Sequence, residues 1–318
     1  MPPKKRASQA PHQAVRARVE RVEHVSPTFV RVTFGGTELR AFGNPGATFD
    51  QRIKLIFPPE DTGVLPSLSG GDAWYADWLA LPEDTRGAMR TYSIRDLLLD
   101  AAGETRFVVD FVLHLDPGAS GPAARWAGGA QIGDELLIVA PLRGHTESGG
   151  VEFAPPEGAS VLLAGDETAA PAIARILEDL PRDAQGIAFI EVPETLDRLV
   201  VAAPEGITVQ WLVRGRSTHG HLLIPAVIAH LGDGKEAAED PAIEDVETEQ
   251  LLWETPVFSA LGETITGETD AALAGYFWIA GESGVATTLR RYLVRELSIS
   301  RSQVAFMGYW RRGVAMKG

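Results

Sequence analysis

The sequence predicts two domains, an antiparallel β-barrel followed by an α/β domain built on a parallel sheet. Three observations carry this. Up to about residue 155, apolar and polar residues alternate at period two in short runs separated by Gly, Pro and Asn. Beyond that point, short apolar runs alternate with amphipathic helical stretches, the rhythm of βαβ units. Between the two lies APPEG at 154–158, which interrupts both periodicities. A chain of 318 residues suits two domains of ordinary size, here 15–155 and 156–318, behind a disordered basic tail at 1–14.

In the first domain, residues 15–25 (VRARVERVEHV) put Val15, Ala17 and Val19 on one face. Residues 29–34 (FVRVTF), 52–57 (RIKLIF), 91–94 (TYSI) and 107–113 (FVVDFVL) alternate likewise, and 135–140 (ELLIVA) is a further apolar run. Residues 65–81, rich in Gly, Ser and Trp, read as a loop. Pro122 opens a short helix that Gly128 and Gly129 stop.

In the second domain, 161–164 (VLLA) is a short strand. Residues 171–180 form a helix with Ile173, Ile176, Leu177 and Leu180 on one face. Residues 187–192 and 207–213 are strands and 222–231 a helix. Residues 276–280 (YFWIA) are a strand, 285–297 a helix, and 304–310 the last strand. Residues 232–270 lack periodicity and read as an acidic, solvated loop.

Charge is spread unevenly over this frame. The chain carries 29 Lys and Arg against 43 Asp and Glu, a net −14. Residues 232–270 hold twelve acids and one base, which accounts for −11 of that total. Such a chain is no general binder of nucleic acid or anionic membrane, because both select basic surfaces. The two domains themselves are close to neutral, so a local basic pocket remains open to them. The absence of cysteine excludes thiol catalysis, Cys-ligated zinc and Cys-held iron–sulfur clusters. Lys4, Lys5 and Arg6 are not followed by an apolar export segment, and no run reaches the ~20 apolar residues of a membrane span. The resulting expectation is a cytoplasmic monomer without a metal site.

Five segments carry candidate chemistry, each beside a plainer structural reading. Arg90-Thr91-Tyr92-Ser93 offers a phosphate fork, an aromatic face and a hydroxyl, or is an ordinary amphipathic strand. Asp110 to His114, then Gly121-Pro122-Ala123-Ala124-Arg125-Trp126, lead a strand into a helix start that suits an anion, or form a capped structural helix with Trp126 in the core. Gly165-Asp166-Glu167-Thr168 is a strand–turn–helix of dinucleotide-site geometry, yet it lacks G-x-G-x-x-G and its acids repel a pyrophosphate. Arg214 and Arg216 follow the strand ending at Val213, and could hold a nucleotide phosphate or simply lie at the surface. Tyr309, Trp310, Arg311 and Arg312 close the chain with aromatics and cations, or form a terminal strand with a basic tail. His219 and His221 read as a solvated loop.

The order of barrel and α/β domain resembles the ferredoxin-reductase-like pair, with a flavin on the barrel and a nicotinamide nucleotide on the α/β domain. Five co-linear motifs narrow this further: RTYS at 90–93, DFVLH at 110–114 with GPAARWA at 121–127, LAGDETAAPAI at 163–173, WIAGE at 278–282 and GYWRRG at 308–313. Together they resemble the siderophore-interacting proteins, flavin-dependent ferric-siderophore reductases. The resemblance implies FAD on the barrel, contacted by Arg90, Thr91, Tyr92, Ser93, Asp110, His114, Gly121, Pro122, Ala123, Ala124 and Trp126. It implies NADPH or NADH on the second domain near Thr168, Arg214 and Trp310. A basic cluster of Lys54, Arg52, Arg125, Arg311 and Arg312 would receive the ferric siderophore. No acid–base or nucleophilic catalytic residue is implied, since the flavin itself couples a two-electron donor to a one-electron acceptor. A general NAD(P)H flavin reductase and a non-catalytic siderophore-binding module are the alternatives.

Overall fold

The structure is a computed structural model that describes residues 12–69, 71, 73–113, 120–145, 149–232, 253–255, 258–259 and 275–313. Strands β1 (His12–His24), β2 (Phe29–Gly35), β3 (Arg52–Phe57), β4 (Ala88–Ser93), β5 (Asp96–Leu99), β6 (Thr105–Val112) and β7 (Glu135–Pro141) form one sheet. Its order is β4-β3-β7-β1-β2-β6-β5, and every neighbouring pair is antiparallel. Register in β1 shifts between Val19 and Arg21, a bulge that bends the long strand. The inward residues of each alternating run, including Val32, Phe34, Leu55, Phe107, Phe111 and Ile138, fill a single core. Beyond the expected strands, β5 pairs with β6 and a 3-10 turn covers Thr37–Ala41.

Two helices pack against this sheet. Residues 65–81, expected as a loop, contain α1 (Trp74–Ala80). Trp78 anchors it: the indole is buried against Ile56, Met89, Leu137 and Val139 on the outer face of the sheet, and its Nε1 donates to the Arg86 carbonyl at 2.8 Å. The glycines around this segment masked the four-residue spacing of Trp74 and Trp78. The other helix, α2 (Pro122–Gly128), has Pro at its start and touches β2, β3, β4 and β6.

The second sheet runs β10-β9-β8-β13-β14-β11-β12. Its strands are β8 (Ser160–Gly165), β9 (Gly186–Val192), β10 (Ile207–Val213), β11 (Trp253–Thr255), β12 (Phe258–Ser259), β13 (Gly275–Glu282) and β14 (Val304–Trp310). The first five in that spatial order are parallel, while β11 runs antiparallel to β14. Helix α3 (Ala170–Asp179) packs on one face, and α4 (Leu223–Leu231) with α5 (Ser283–Arg291) on the other. The helix expected over 285–297 is thus divided, since Tyr292–Glu296 continues as a π turn. The reading of 232–270 as one loop is also corrected in part. Glu254 and Thr255 of β11 are buried, and Glu254 is paired with Arg290 at 2.7 Å. The remainder, 233–252, 256–257 and 260–270, lies outside the described residues.

The two sheets are stapled by buried polar groups. Asp50, fully buried, accepts from Trp278 Nε1 at 2.9 Å and from the Phe153 and Glu152 amides at 3.0 and 3.1 Å. Asp197 accepts from Ser26 and Thr28, and Arg95 forks onto Glu178 at 2.7 Å twice. Phe29 and Phe153 enter the core of the second sheet. In that sheet β8 lies between β9 and β13, so the strand order reverses there. The switch point sits at the carboxyl ends of β8 and β13, where ligands bind in such sheets.

Candidate functional site

The first group of functional side chains lies along β4, an edge strand. Pairing with β3 sets Tyr92 opposite Ile53 and Arg90 opposite Leu55, on the barrel's inner side. Thr91 stands opposite Lys54 and Ser93 opposite Arg52, on the other side. The RTYS run therefore straddles an edge, and a ligand lying along that edge meets side chains from both faces. Tyr92 leans on Phe111 with ring centroids 4.7 Å apart. Arg90 is partly buried, and burial, reinforced by the neighbouring Arg125 charge, lowers its pKa.

Arg125 is held in place by the Ser120 carbonyl and by Glu60, with an Nε to Oε1 distance of 2.8 Å. Both partners of that ion pair are about half exposed, so the pair is weak. Lys54 donates to Thr91 Oγ1 at 3.1 Å and has no acidic partner among the described residues. Burial lowers its pKa, and Arg52 lowers it further. Among the described residues a Cβ at Gly121 would meet nothing within 4 Å, beside the start of α2. Partly buried cations crowded beside open space fit a polyanionic ligand such as the pyrophosphate of FAD.

The second group sits at the switch point. Asp166 is buried and collects four hydrogen bonds: from Thr168 N at 2.9 Å, Thr168 Oγ1 at 2.5 Å, Glu282 N at 2.8 Å and Trp310 Nε1 at 2.9 Å. Burial and the adjacent Glu167 raise its pKa. Gly281 has φ +133°, and a Cβ there would stand 2.7 Å from the Asp166 carboxylate, so glycine is required. Glu167 is fully buried and accepts a fork from Arg214 at 2.6 and 2.7 Å. It also bonds His219 Nε2 at 2.9 Å, and the His219 ring packs edge-on against Trp310 at 4.6 Å.

These contacts give several of the candidate residues partners within the protein. Arg214 is ion-paired with Glu167 inside the protein, and its guanidinium is buried there. Thr168 turns its hydroxyl to Asp166, and Trp310 its indole N–H to the same carboxylate. Asp110 is buried and forked by Arg31 at 2.6 and 2.8 Å, so it braces β2 against β6 and presents nothing to a ligand. Trp126 packs among Phe34, Phe57 and Phe111 in the barrel core. Arg52 pairs with Glu152 and stacks over Trp253 at 4.2 Å, which withdraws it from the basic cluster. His219 belongs to the switch-point network and not to a solvated loop. His114 lies outside the described residues.

Arg90, Tyr92, Ala123 and Ala124 stand together at the α2 end of the barrel, with Gly121 and Pro122 at the helix start. Arg311 and Arg312 follow β14, and the Arg312 amide donates to Glu282 at 3.3 Å. Sequence reasoning missed Glu191, and read Glu282 only as part of the WIAGE motif. A lone acid inside or at the end of an apolar strand, as in IAFIEV and YFWIAGE, is the signal that marks them.

Residues 18–145 match the family model of the siderophore-interacting FAD-binding domain, and 158–313 that of siderophore-interacting protein. An uncharacterized protein of Mycobacterium tuberculosis is 35% identical over 91% of this chain and 87% of its own length. The ferric vibriobactin reductase ViuB of Vibrio cholerae is 28% identical over 92% of this chain and 88% of its own. The NADPH-dependent ferric-chelate reductase of Escherichia coli is 31% identical over 61% of this chain and 69% of its own. Among solved structures, a siderophore utilization protein from T. fusca superposes with a TM-score of 0.68 at 29% identity, covering 98% of this chain and 97% of that one.

Proposed function

The chain belongs to the siderophore-interacting proteins, and from that premise we propose that it is a flavin-dependent ferric-siderophore reductase, passing electrons from NAD(P)H through FAD to siderophore-bound Fe3+ and releasing Fe2+. FAD is its cofactor and a nicotinamide nucleotide its electron donor. The observation that carries the reading is the set of desolvated cations on edge strand β4 and beside it, within the stretch that matches the FAD-binding domain.

Arg90 would hold the FAD pyrophosphate, with Gly121 and Pro122 admitting the phosphates at the start of α2. Tyr92 would offer the flat face for the flavin, and Ser93 and Thr91 hydroxyls at its edge. Bound FAD supplies the step from a two-electron donor to a one-electron acceptor. Lys54 and Arg125, joined by Arg311 and Arg312 from the second sheet, would attract an anionic ferric chelate to that edge. Ferrous iron is a weaker partner for hard oxygen ligands, so reduction releases it. The reading places the protein in the cytoplasm as a monomer; among the described residues no helix is long and apolar enough to cross a membrane.

The test is anaerobic. FAD-loaded protein is mixed with NADPH or NADH while flavin absorbance is followed, then given ferric chelates with a ferrous trap. Bleaching followed by trapped Fe2+ is expected. Protein that binds no FAD, or whose reduced FAD is not reoxidised by any ferric siderophore, overturns the reading. A chelate kcat/KM no higher than that for free flavin would make it a general flavin reductase instead.

A further inference from the structure

On the outer side of the first sheet, register sets one row of side chains across four strands. Thr91 of β4 stands opposite Lys54 of β3, Lys54 opposite Val139 of β7, and Val139 opposite Ala14 of β1. Side chains two residues along a strand share its side, so Ser93, Arg52, Pro141 and His12 form a second row next to the first. In it Ser93 is paired with Arg52, and Pro141 with His12. From β4 to β1 the face is three strand spacings wide, about 14 Å at about 4.8 Å each. Val139 and Pro141 make an uncharged floor, with Lys54 on one side of it and His12 on the other.

The His12 ring is half-buried at the start of β1 and has no hydrogen bond or ion pair among the described residues. Burial lowers its pKa, and the Lys54 charge lowers it further. The other charges on this face already have partners. Arg52 of β3 is paired with Glu152 and lies over Trp253. On β1 itself, Arg16 is paired with Glu135 of β7 at 2.7 Å. His12 and Lys54 repel each other when both are charged, so the imidazole is mostly neutral at pH 7. An anion laid across the floor reverses this, because it cancels the Lys54 field and attracts a proton to the ring.

We propose that His12 forms the far edge of the ferric-chelate site and takes up a proton from solvent when an anionic chelate binds, so that capture strengthens as pH falls and neutral chelates gain nothing from it. The proposal rests on the reading that a ferric chelate is received at Lys54.

Calorimetry on the oxidised, FAD-loaded protein tests it. The anionic probe is the ferric complex of diethylenetriaminepentaacetate, and the control is a neutral ferric trihydroxamate; neither changes charge between pH 5.5 and 8. The anionic probe is expected to bind about tenfold tighter at pH 5.5 than at pH 8, the size of one pKa unit of linkage. Heats that differ between buffers of different ionisation enthalpy should report the proton taken up. His12→Gln should abolish the pH slope and the proton uptake at unchanged FAD content, and His12→Lys should bind at pH 8 as tightly as the wild type at pH 5.5. The neutral probe should show neither effect. An anionic probe that binds at neither pH, a wild type without a pH slope, or a slope that survives His12→Gln overturns the proposal alone, provided ferric siderophores still reoxidise the reduced flavin. If none does, the reductase reading and this proposal fall together.

Discussion

Replacing Arg214 by alanine tests how the switch point is built. The guanidinium donates to both Glu167 oxygens, at 2.6 and 2.7 Å, and both side chains are buried. Burial by itself pushes the Glu167 carboxyl up; hydrogen bonds from His219 and Arg214 outweigh it and hold the pKa at about 2. Relative to the ordinary 4.5, this favours the carboxylate by about 3 kcal/mol, at roughly 1.4 kcal/mol per unit. Breaking a buried pair from one side costs a similar roughly 3–5 kcal/mol, because the remaining charge stays uncompensated. Arg214→Ala is therefore expected to lose about 3 kcal/mol or more in urea unfolding of the FAD-loaded protein at pH 7. A depressed carboxylate contributes stability above about 4.5 that disappears as pH falls towards 2, so the acid limb of the stability curve should be shallower in the variant. The double replacement Glu167→Leu with Arg214→Met removes both charges and is expected to cost less than Arg214→Ala alone. A loss under about 1 kcal/mol, with the acid limb unchanged, refutes the assignment of Arg214 as a structural partner.

Other positions give independent tests. Burial lifts Asp50 to about 6 from 3.8, so the folded protein holds its proton more tightly and stability falls as pH rises between those values; Asp50→Asn should flatten that slope in thermal melts across pH 4 to 6. Gly281→Ala forces a Cβ against the Asp166 carboxylate at φ +133° and should cost about 2–4 kcal/mol, read as a lower melting temperature. Lys54→Glu should weaken binding of an anionic ferric chelate about tenfold, the size of one lost charge-assisted contact, while FAD content by absorbance is unchanged.

Legibility followed the range of the interactions. The runs RIKLIF, ITVQWLV and VAFMGYW mark strands whose bounds match β3, β10 and β14, because local alternation and β-branched content decide them. Helix α1 was hidden because one indole, Trp78, organises it against strands distant in sequence. The basic residues illustrate the same limit. Lys54 and Arg52 sit two apart on one strand, yet Glu152 and Trp253, one hundred and two hundred residues away, take Arg52, while Lys54 has no acidic partner among the described residues.

By itself the sequence determined the two-domain order, nearly all the strands, and five co-linear motifs that mark the family. These are properties of periodicity and local spacing. Only the tertiary structure decided which charged groups remain available. Asp110, Arg214 and Arg52 looked like ligands in the chain and are ion-paired in the fold. Glu191 and Glu282 looked like ordinary acids and turn out to cap helices at the switch point. The physical reason is that burial makes an unpaired charge costly, so each buried charge finds a partner wherever the fold brings one, and that pairing is invisible until distant strands meet.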